Sequence, residues 1–346
     1  MSAVSPARTV RLGRISFRLN RGTIIACAVL IALTVSFSLL ALSLGAYTVS
    51  LPDIVRAIAG DGSEEVRRVV VEWRLPRVLA AAVFGAALGM SGSLFQSLTR
   101  NPLGSPDVIG FTTGSLSGVL IAMLLGGTGY LATASGALIG GLLTALGVYA
   151  LAWKRGVQGF RLIVVGIALG AMLTSLNTWI MVKVDVEFAM RASVWGAGTL
   201  NGTRWEQLTP ALIAAAGFAL AAAWLGPRVQ QLALGDDAAA ALGLRVERTK
   251  LAMIVVGIGL TALVTAAAGP IAFVALAAPQ VARRLRPGGA PLDLVTSACV
   301  GAALLSGADL IAQHAFPGLT VPVGAVTVCL GGGYLIWLLA RETKRG

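Results

Sequence analysis

Residues 77–98 read RVLAAAVFGAALGMSGSLFQSL, and beyond Arg77 the stretch carries no charge. At a helical rise of about 1.5 Å per residue, such a run is long enough to cross the ~30 Å hydrocarbon core of a bilayer. Its Gly85 and Gly89 would weaken a water-exposed helix, whereas in lipid small residues at this spacing let helices approach closely. The same spacing returns at Gly110/Gly114, Gly136/Gly140 and Gly166/Gly170 in successive apolar segments, which predicts a tightly packed bundle.

The rest of the chain repeats the pattern. Of 346 residues, 56% are hydrophobic and 12% charged, with a mean hydropathy of +0.84, whereas soluble domains carry about a quarter charged residues. Such a chain cannot cover a globule with polar surface. Further apolar runs occupy 23–44, 108–125, 131–153, 162–182, 208–225, 251–268, 271–281, 292–311 and 323–340. The predicted fold is all-α: a polytopic membrane protein with ten transmembrane helices in one domain, 23–340, between a basic tail at 1–22 and a short tail at 341–346. The run at 271–281 is the shortest, and Pro270 and Pro279 near its ends predict interrupted geometry. The polar connection after the fifth run predicts a short helix outside the membrane.

Orientation follows from the basic residues. With the N-terminus in the cytoplasm and ten crossings, nineteen of the 27 Lys and Arg fall inside and eight outside, the asymmetry expected of a membrane protein with both termini cytoplasmic. Dropping the eighth crossing would send the C-terminal basic cluster outside. The Arg-rich N-terminus lacks an Ala-x-Ala-like cleavage site, so the first run is read as a retained span rather than a cleaved signal.

Several chemistries are excluded. The net charge of +12 comes from short clusters between apolar runs with no aromatic-interleaved basic stripe, which argues against nucleic acid. Cys27, Cys299 and Cys329 lie in apolar segments without metal or redox spacing. His314 is the sole histidine and is placed in a loop beside Pro317, so no metal site is expected. There is no Gly-x-x-x-x-Gly-Lys-Ser/Thr phosphate loop and no Gly-x-Ser-x-Gly nucleophile turn. If ATP drives this chain, another subunit hydrolyses it.

Five features remain to be explained. Arg74 and Arg77 fall at the external mouth of the second run, against the inside bias, either as snorkelling anchors or as docking charges. Gln96 and Asn177 are polar residues inside the second and fifth runs, suited to interhelical hydrogen bonds or to a translocation path. Asn101, Pro102, Gly104, Pro106 and Asp107 form a turn-rich break between the second and third runs. Asp309, near the end of the ninth run, reads as an intra-bundle hydrogen-bonding or capping group, or alternatively as a proton relay. Finally, Leu234-Gly235-Asp236-Asp237 through Ala241-Leu242-Gly243 reads as a short cytoplasmic helix, with acids at its N-terminus and a glycine to end it. It is either an inert connector or a docking helix.

With these residues in view, the chain resembles the permease subunits of the iron-siderophore and vitamin B12 family of ATP-binding-cassette importers. The resemblance runs from the first span to the tenth. It rests on Arg74-Leu75-Pro76-Arg77, on Gly85 to Gln96, and above all on Asn101-Pro102-Leu103-Gly104-Ser105-Pro106-Asp107-Val108-Ile109-Gly110. Trp195-Gly196 with Gly198, the 234–243 segment, Gly269-Pro270-Ile271-Ala272-Phe273-Val274, Ala278-Pro279 with Arg283, Ala308-Asp309 and Val321-Pro322-Val323-Gly324 add to it. The chain departs from the family at Gln280, where a His is common, at Thr320, where an acid is common, at Gly331-Gly332-Gly333, and at Gln313, where an external Arg is common. Ala278-Pro279-Gln280 is closer to ferric-catecholate siderophore permeases.

The resemblance implies a type II ABC importer permease fold and a non-catalytic subunit of the bacterial cytoplasmic (inner) membrane. It implies a homologous permease partner, a heterodimer being favoured over a homodimer, and two cytoplasmic ATPase subunits that bind ATP and Mg. It also implies one periplasmic or lipid-anchored binding protein and a ferric siderophore as cargo; this chain itself holds no cofactor and no nucleic acid. Arg74 and Arg77 would dock the binding protein, residues 229–244 would couple to the ATPases, Gln96 and Asn177 would line the path, and the 101–107 loop would serve structure or gating. Vitamin B12 or haem as cargo, a gradient-driven secondary transporter, and a polytopic membrane enzyme are the alternatives.

Overall fold

A computed structural model describes residues 8–12, 15–19, 21–107, 109–127, 129–153, 159–285, 293–315 and 321–343. Within the stretch expected to be a plain basic tail, strands β1 (Arg8–Leu12) and β2 (Ile15–Leu19) pair antiparallel, Arg8 opposite Leu19 and Leu12 opposite Ile15. β2 alternates apolar with polar residues, the pattern of a strand rather than a helix, and β1 carries the β-branched pair Thr9-Val10.

The remaining elements are helical. α1 is Arg21–Ser43, α2 Leu51–Ala59 and α3 Glu64–Arg67, after which a π-helical segment, Arg68–Arg74, runs directly into α4, Leu75–Thr99. α5 is Phe111–Leu124, α6 Tyr130–Ala152, α7 Gly159–Lys183, α8 Val186–Gly196 and α9 Trp205–Leu232. α10 is Asp236–Ala241, α11 Val246–Ala268, α12 Val274–Leu285, α13 Leu294–His314 and α14 Val323–Thr343. Each of the ten predicted runs thus contains a helix, and α8 is the expected short helix after the fifth run. Among the described residues seven helices are long and apolar enough to cross a membrane: α1, the continuous Glu64–Thr99, α6, α7, α9, α11 and α13. α5, α12 and the apolar part of α14, Val323–Tyr334, are shorter.

α4 and α11 form the buried centre, whereas α1 and α7 are exposed along most of their length. The glycine pairs explain the closest approaches. A Cβ at Gly85 of α4 would run into the Gly301 carbonyl of α13, and one at Gly301 would run into the Gly85 carbonyl. Gly114 and Gly118 of α5 meet Gly140 and Gly136 of α6 in the same way. At these contacts the two backbones touch, and association rests on close van der Waals packing.

Of the two prolines predicted to interrupt the eighth run, Pro279 lies inside α12 without ending it, and the interruption lies at 269–273 alone, where Gly269 (φ 72°) and Phe273 (φ 70°) take left-handed conformations. Several of its backbone groups bond within the chain: the Gly269 N–H donates to the Thr265 carbonyl at 2.9 Å, the Ala272 carbonyl accepts from the Val274 N–H at 2.9 Å, and the Phe273 carbonyl accepts from the Leu276 and Ala277 N–H groups at 3.1 and 2.8 Å. Irregular backbone is tolerated at membrane depth only where it is buried in protein or lines a cavity.

The π segment meets a local constraint at Pro76. In its i to i+5 register the Val71 carbonyl would accept from residue 76, but Pro76 has no N–H. The Trp205 indole donates to that carbonyl instead, at 2.8 Å, and so fastens the start of α9 to the π segment.

Candidate functional site

Two clusters of polar residues stand at opposite ends of the bundle. The first gathers the end of α1, the π segment, the start of α4, the start of α9 and the end of α13 around a cavity of about 300 Å³. Glu72, Trp73, Arg74, Arg77, Arg204 and Gln313 are among its lining residues.

Arg74 and Arg77 both reach this mouth, and each has intramolecular partners. Arg74 donates from Nη1 to the Leu42 carbonyl and from Nη2 to the Tyr47 carbonyl, both at 2.6 Å. Arg77 closes on Asp309, with Nη2 at 2.8 Å from Oδ1 and Nε at 3.0 Å from Oδ2, and its Nη1 donates to Asn201 Oδ1. Gln313 Nε2 donates to Asp309 Oδ2 at 2.7 Å. The side chain of Asp309 is 3% exposed and that of Arg77 is 18% exposed. Asp309 therefore has the intra-bundle role, as half of a buried ion pair joining α13 to α4. Charged groups buried in this way are paired and hydrogen-bonded, or they are costly.

His314 corrects the sequence reading. It is the last residue of α13 rather than a loop residue, with Nδ1 3.0 Å from the Leu310 carbonyl one turn back. The helix continues because no breaker intervenes before the Pro317 region, which lies outside the described residues.

The second cluster joins the α4–α5 connection to α10. Gly235 (φ 110°) and Gly243 (φ 85°) bracket α10, with Asp236 and Asp237 in its first turn. The Gly243 N–H bonds the Ala240 carbonyl at 2.9 Å and the Leu244 N–H bonds the Ala239 carbonyl at 3.0 Å, a left-handed glycine terminus. Leu234 is 66% exposed and Leu242 62% exposed, and Asp237 and Ala241 are exposed between them. Asp236 is held from two sides, by Arg100 Nη2 at 2.6 Å and by the buried Lys250 Nζ at 2.8 Å. Burial alone would raise the Asp236 carboxyl. The hydrogen bond and charge of Lys250, with the Arg100 guanidinium, outweigh that and hold it below the usual carboxylate range.

Arg100 is the left-handed residue (φ 50°) that ends α4, so its ion pair ties that helix directly to α10. In the loop that follows, Asn101 accepts from the Leu103 N–H at its side chain and from the Gly104 N–H at its carbonyl, both at 2.9 Å. Pro106 is buried, and Asp107 accepts from the Thr112 hydroxyl at 2.6 Å. Gln280 of α12 donates to the Pro102 carbonyl at 2.9 Å, anchoring the loop to the bundle.

Gln96 and Asn177 are buried and lie in separate places. Gln96 donates to the Leu276 carbonyl at 3.0 Å and accepts from Arg283 at 2.7 Å. Asn177 accepts from Ser117 at 2.7 Å and donates to the Thr113 carbonyl at 3.2 Å. Both side chains make interhelical bonds. Sequence reasoning missed Asn201, Arg204, Lys250 and the role of Arg100; Asn201 and Arg100 find their partners 124 and 136 residues away, and Arg204 forms no ion pair among the described residues. Among the described residues no group of three or more His, Cys, Asp or Glu side chains converges as a metal site would require.

Comparison with known proteins agrees with this architecture. The FecCD transport family matches residues 28–341. Over 326 residues the chain is 48% identical to the ferric enterobactin transport system permease protein of Escherichia coli (strain K12), covering 94% of this chain and 98% of that one. It is 33% identical over 341 residues to the achromobactin transport system permease protein of Dickeya dadantii (strain 3937), covering 96% of each. Among solved structures, a metal-chelate-type ABC transporter in an inward-facing conformation matches with a TM-score of 0.82 at 25% identity, over 92% of this chain and 99% of the other. With its helical bundle matched from the first span into the last, this chain belongs to the FecCD transport family.

Proposed function

We propose that this chain is the membrane-spanning subunit of an ATP-driven importer that carries a ferric siderophore, with a catecholate complex favoured, across the bacterial cytoplasmic membrane. The observation that carries the reading is the near end-to-end similarity to a ferric enterobactin permease. In this reading α1, α4, α5, α6, α7, α9, α11, α12, α13 and α14 all cross or enter the membrane and both termini are cytoplasmic, in keeping with the basic-residue asymmetry. The mouth lined by Arg74 and Arg77 then faces the binding protein, and α10 faces the ATPases. Ferric iron arrives already chelated, which suits an apolar subunit among whose described residues no carboxylate cage converges.

The geometry supports a mechanical role. Movement of the ATPases against Leu234, Asp237 and Leu242 would reach α4 through the Asp236–Arg100 pair and reach α11 through Lys250. Bundles with few alternative packings convert such displacements into opening and closing of a central path. That path would run between this chain and a homologous, non-identical permease, beside α7 and the region of Gln96 and Asn177. The 101–107 loop, bound to α12 through Gln280, would move with the gate.

Uptake of matched iron complexes by cells whose own permease is deleted tests the substrate. Restoration by a ferric catecholate is expected; entry of only cobalamin or haem would overturn the assignment.

A further inference from the structure

We infer that α2 is an interfacial membrane helix whose outward face, Leu51, Val55 and Ile58, lies against the acyl-chain boundary of the phospholipid leaflet at the Ser43 end of α1. That this leaflet is the outer one rests on the topology of the importer reading above. With about 3.6 residues per turn, α2 divides its circumference three ways. Ile54 and Ala57 share one side, both buried in an apolar cluster with Ala41 and Leu42 of α1 and with Val70 and Val78. Leu51, Val55 and Ile58 stand at i, i+4 and i+7 on the next side, and each is more than half exposed. Asp53 and Arg56 take the third side and pair with each other at 3.7 Å. A helix lying between a bundle and water needs one apolar side, the one toward the bundle. A second apolar side calls for a second apolar medium.

The level of α2 is fixed by its fastening to α1. The Val49 N–H donates to the Ser43 carbonyl at 3.0 Å, and the Ser43 hydroxyl donates to the Val49 carbonyl at 2.7 Å. Arg74 holds the Leu42 and Tyr47 carbonyls from the π segment. With α1 centred in the bilayer, Leu42 stands ten residues past its midpoint at Ala32, about 15 Å along the axis and half the ~30 Å hydrocarbon core. The α2 side chains packed on Leu42 are therefore at the border of acyl chains and headgroups, where amphipathic helices lie. Leu39, Leu40 and Leu44 are exposed at the same end of α1, so the outward face of α2 continues an apolar surface already in lipid. Tyr47, exposed in the connection, is a residue type enriched at this level.

The face suits lipid better than a protein partner. Its three side chains are aliphatic, whereas Trp, Tyr and Arg are the residue types that dominate binding energy at protein interfaces. A fluid acyl boundary needs no matching shape, and placing Leu51, Val55 and Ile58 in it leaves the Asp53–Arg56 pair toward headgroups and water.

The test uses the complete permease–ATPase complex in nanodiscs of phosphatidylethanolamine and phosphatidylglycerol. Cys27, Cys299 and Cys329 are replaced by Ala, and a spin label is attached to Val55→Cys or to Arg56→Cys. Both positions are exposed, so thermal unfolding should match that of the unlabelled Ala background. Oxygen partitions into acyl chains and a nickel chelate stays in water. The ratio of label relaxation by oxygen to relaxation by the chelate should be several-fold higher at position 55 than at position 56. Equal ratios would overturn the inference and leave the importer reading intact. Shielding of the Val55→Cys label from both reagents only when purified binding protein is added would also overturn it, in favour of a protein contact. In sealed right-side-out vesicles, an impermeant thiol reagent added outside should modify Arg56→Cys. Failure to modify it, with the high ratio kept at position 55, would overturn the topology of the importer reading and leave the lipid contact standing.

Discussion

Arg77 and Asp309 meet across 232 residues of sequence, guanidinium to carboxylate at 2.8 Å, and so lock the start of α4 to the end of α13. The two helices are also in backbone contact at Gly85 and Gly301. One interface thus combines close packing along its length with a charged clasp at one end.

Removing half of that clasp should be worse than removing all of it. Asp309→Ala leaves Arg77 without its main partner and should destabilise the bundle by about 3–5 kcal/mol, whereas Asp309→Ala with Arg77→Met should recover much of the loss. Unfolding of the single and double variants in mixed micelles measures the difference. Equal, additive losses would show that the pair does not act as a unit.

At the glycine contact the expectation is steric. Gly85→Ala places a methyl group against the Gly301 carbonyl and should cost about 1–3 kcal/mol, through forced separation of α4 and α13. Gly217, which has open space around its Cβ position, is the control. Thermal unfolding should fall for Gly85→Ala and barely change for Gly217→Ala.

The Asp236 cluster should act in coupling. Asp236→Asn keeps the shape but removes the charge that joins Arg100 and Lys250, and ATP hydrolysis should then continue while transport per ATP falls several-fold. Because the folded carboxyl sits below its ordinary range, the contact is intact above the unfolded value of about 3.9 and is lost as pH falls through the lower folded value. Coupling should therefore show no dependence on this group between about pH 5 and pH 8. A wild-type transport-to-ATP ratio in Asp236→Asn would remove the cluster from the coupling route.

Gln96 separates a packing role from a path role. Gln96→Ala removes a bond to the Leu276 carbonyl and the acceptor of Arg283, which should lower stability by roughly 1–3 kcal/mol while leaving the relative uptake of different ferric complexes unchanged. A changed order of preference among those complexes would place Gln96 on the path.

The sequence was most informative where physics is local. Apolar length and small-residue spacing located helices in all ten runs, and Pro270 marked the break that Gly269 and Phe273 make with left-handed backbone. Asp236, Asp237 and Gly243 marked the ends of α10. The partners of Arg77, Arg100 and Gln96 were not legible, because helix pairing at this range is set by packing that no periodicity encodes. The π segment was also missed, as was the Trp205 indole that donates to its Val71 carbonyl, a tertiary contact between residues far apart in the chain. His314 was misplaced because no helix breaker stands between the end of the ninth apolar run and Pro317, so α13 runs on through it.

Reconstitution in sealed vesicles tests the central claim most directly. A complex of this chain, a homologous permease and two ATPases, given binding protein and a ferric catecholate complex, should accumulate iron only when ATP is supplied on the α10 side. Iron accumulation should stop when either ATP or the binding protein is withheld. Accumulation driven by a proton gradient with this chain alone, and indifferent to ATP, would contradict the account.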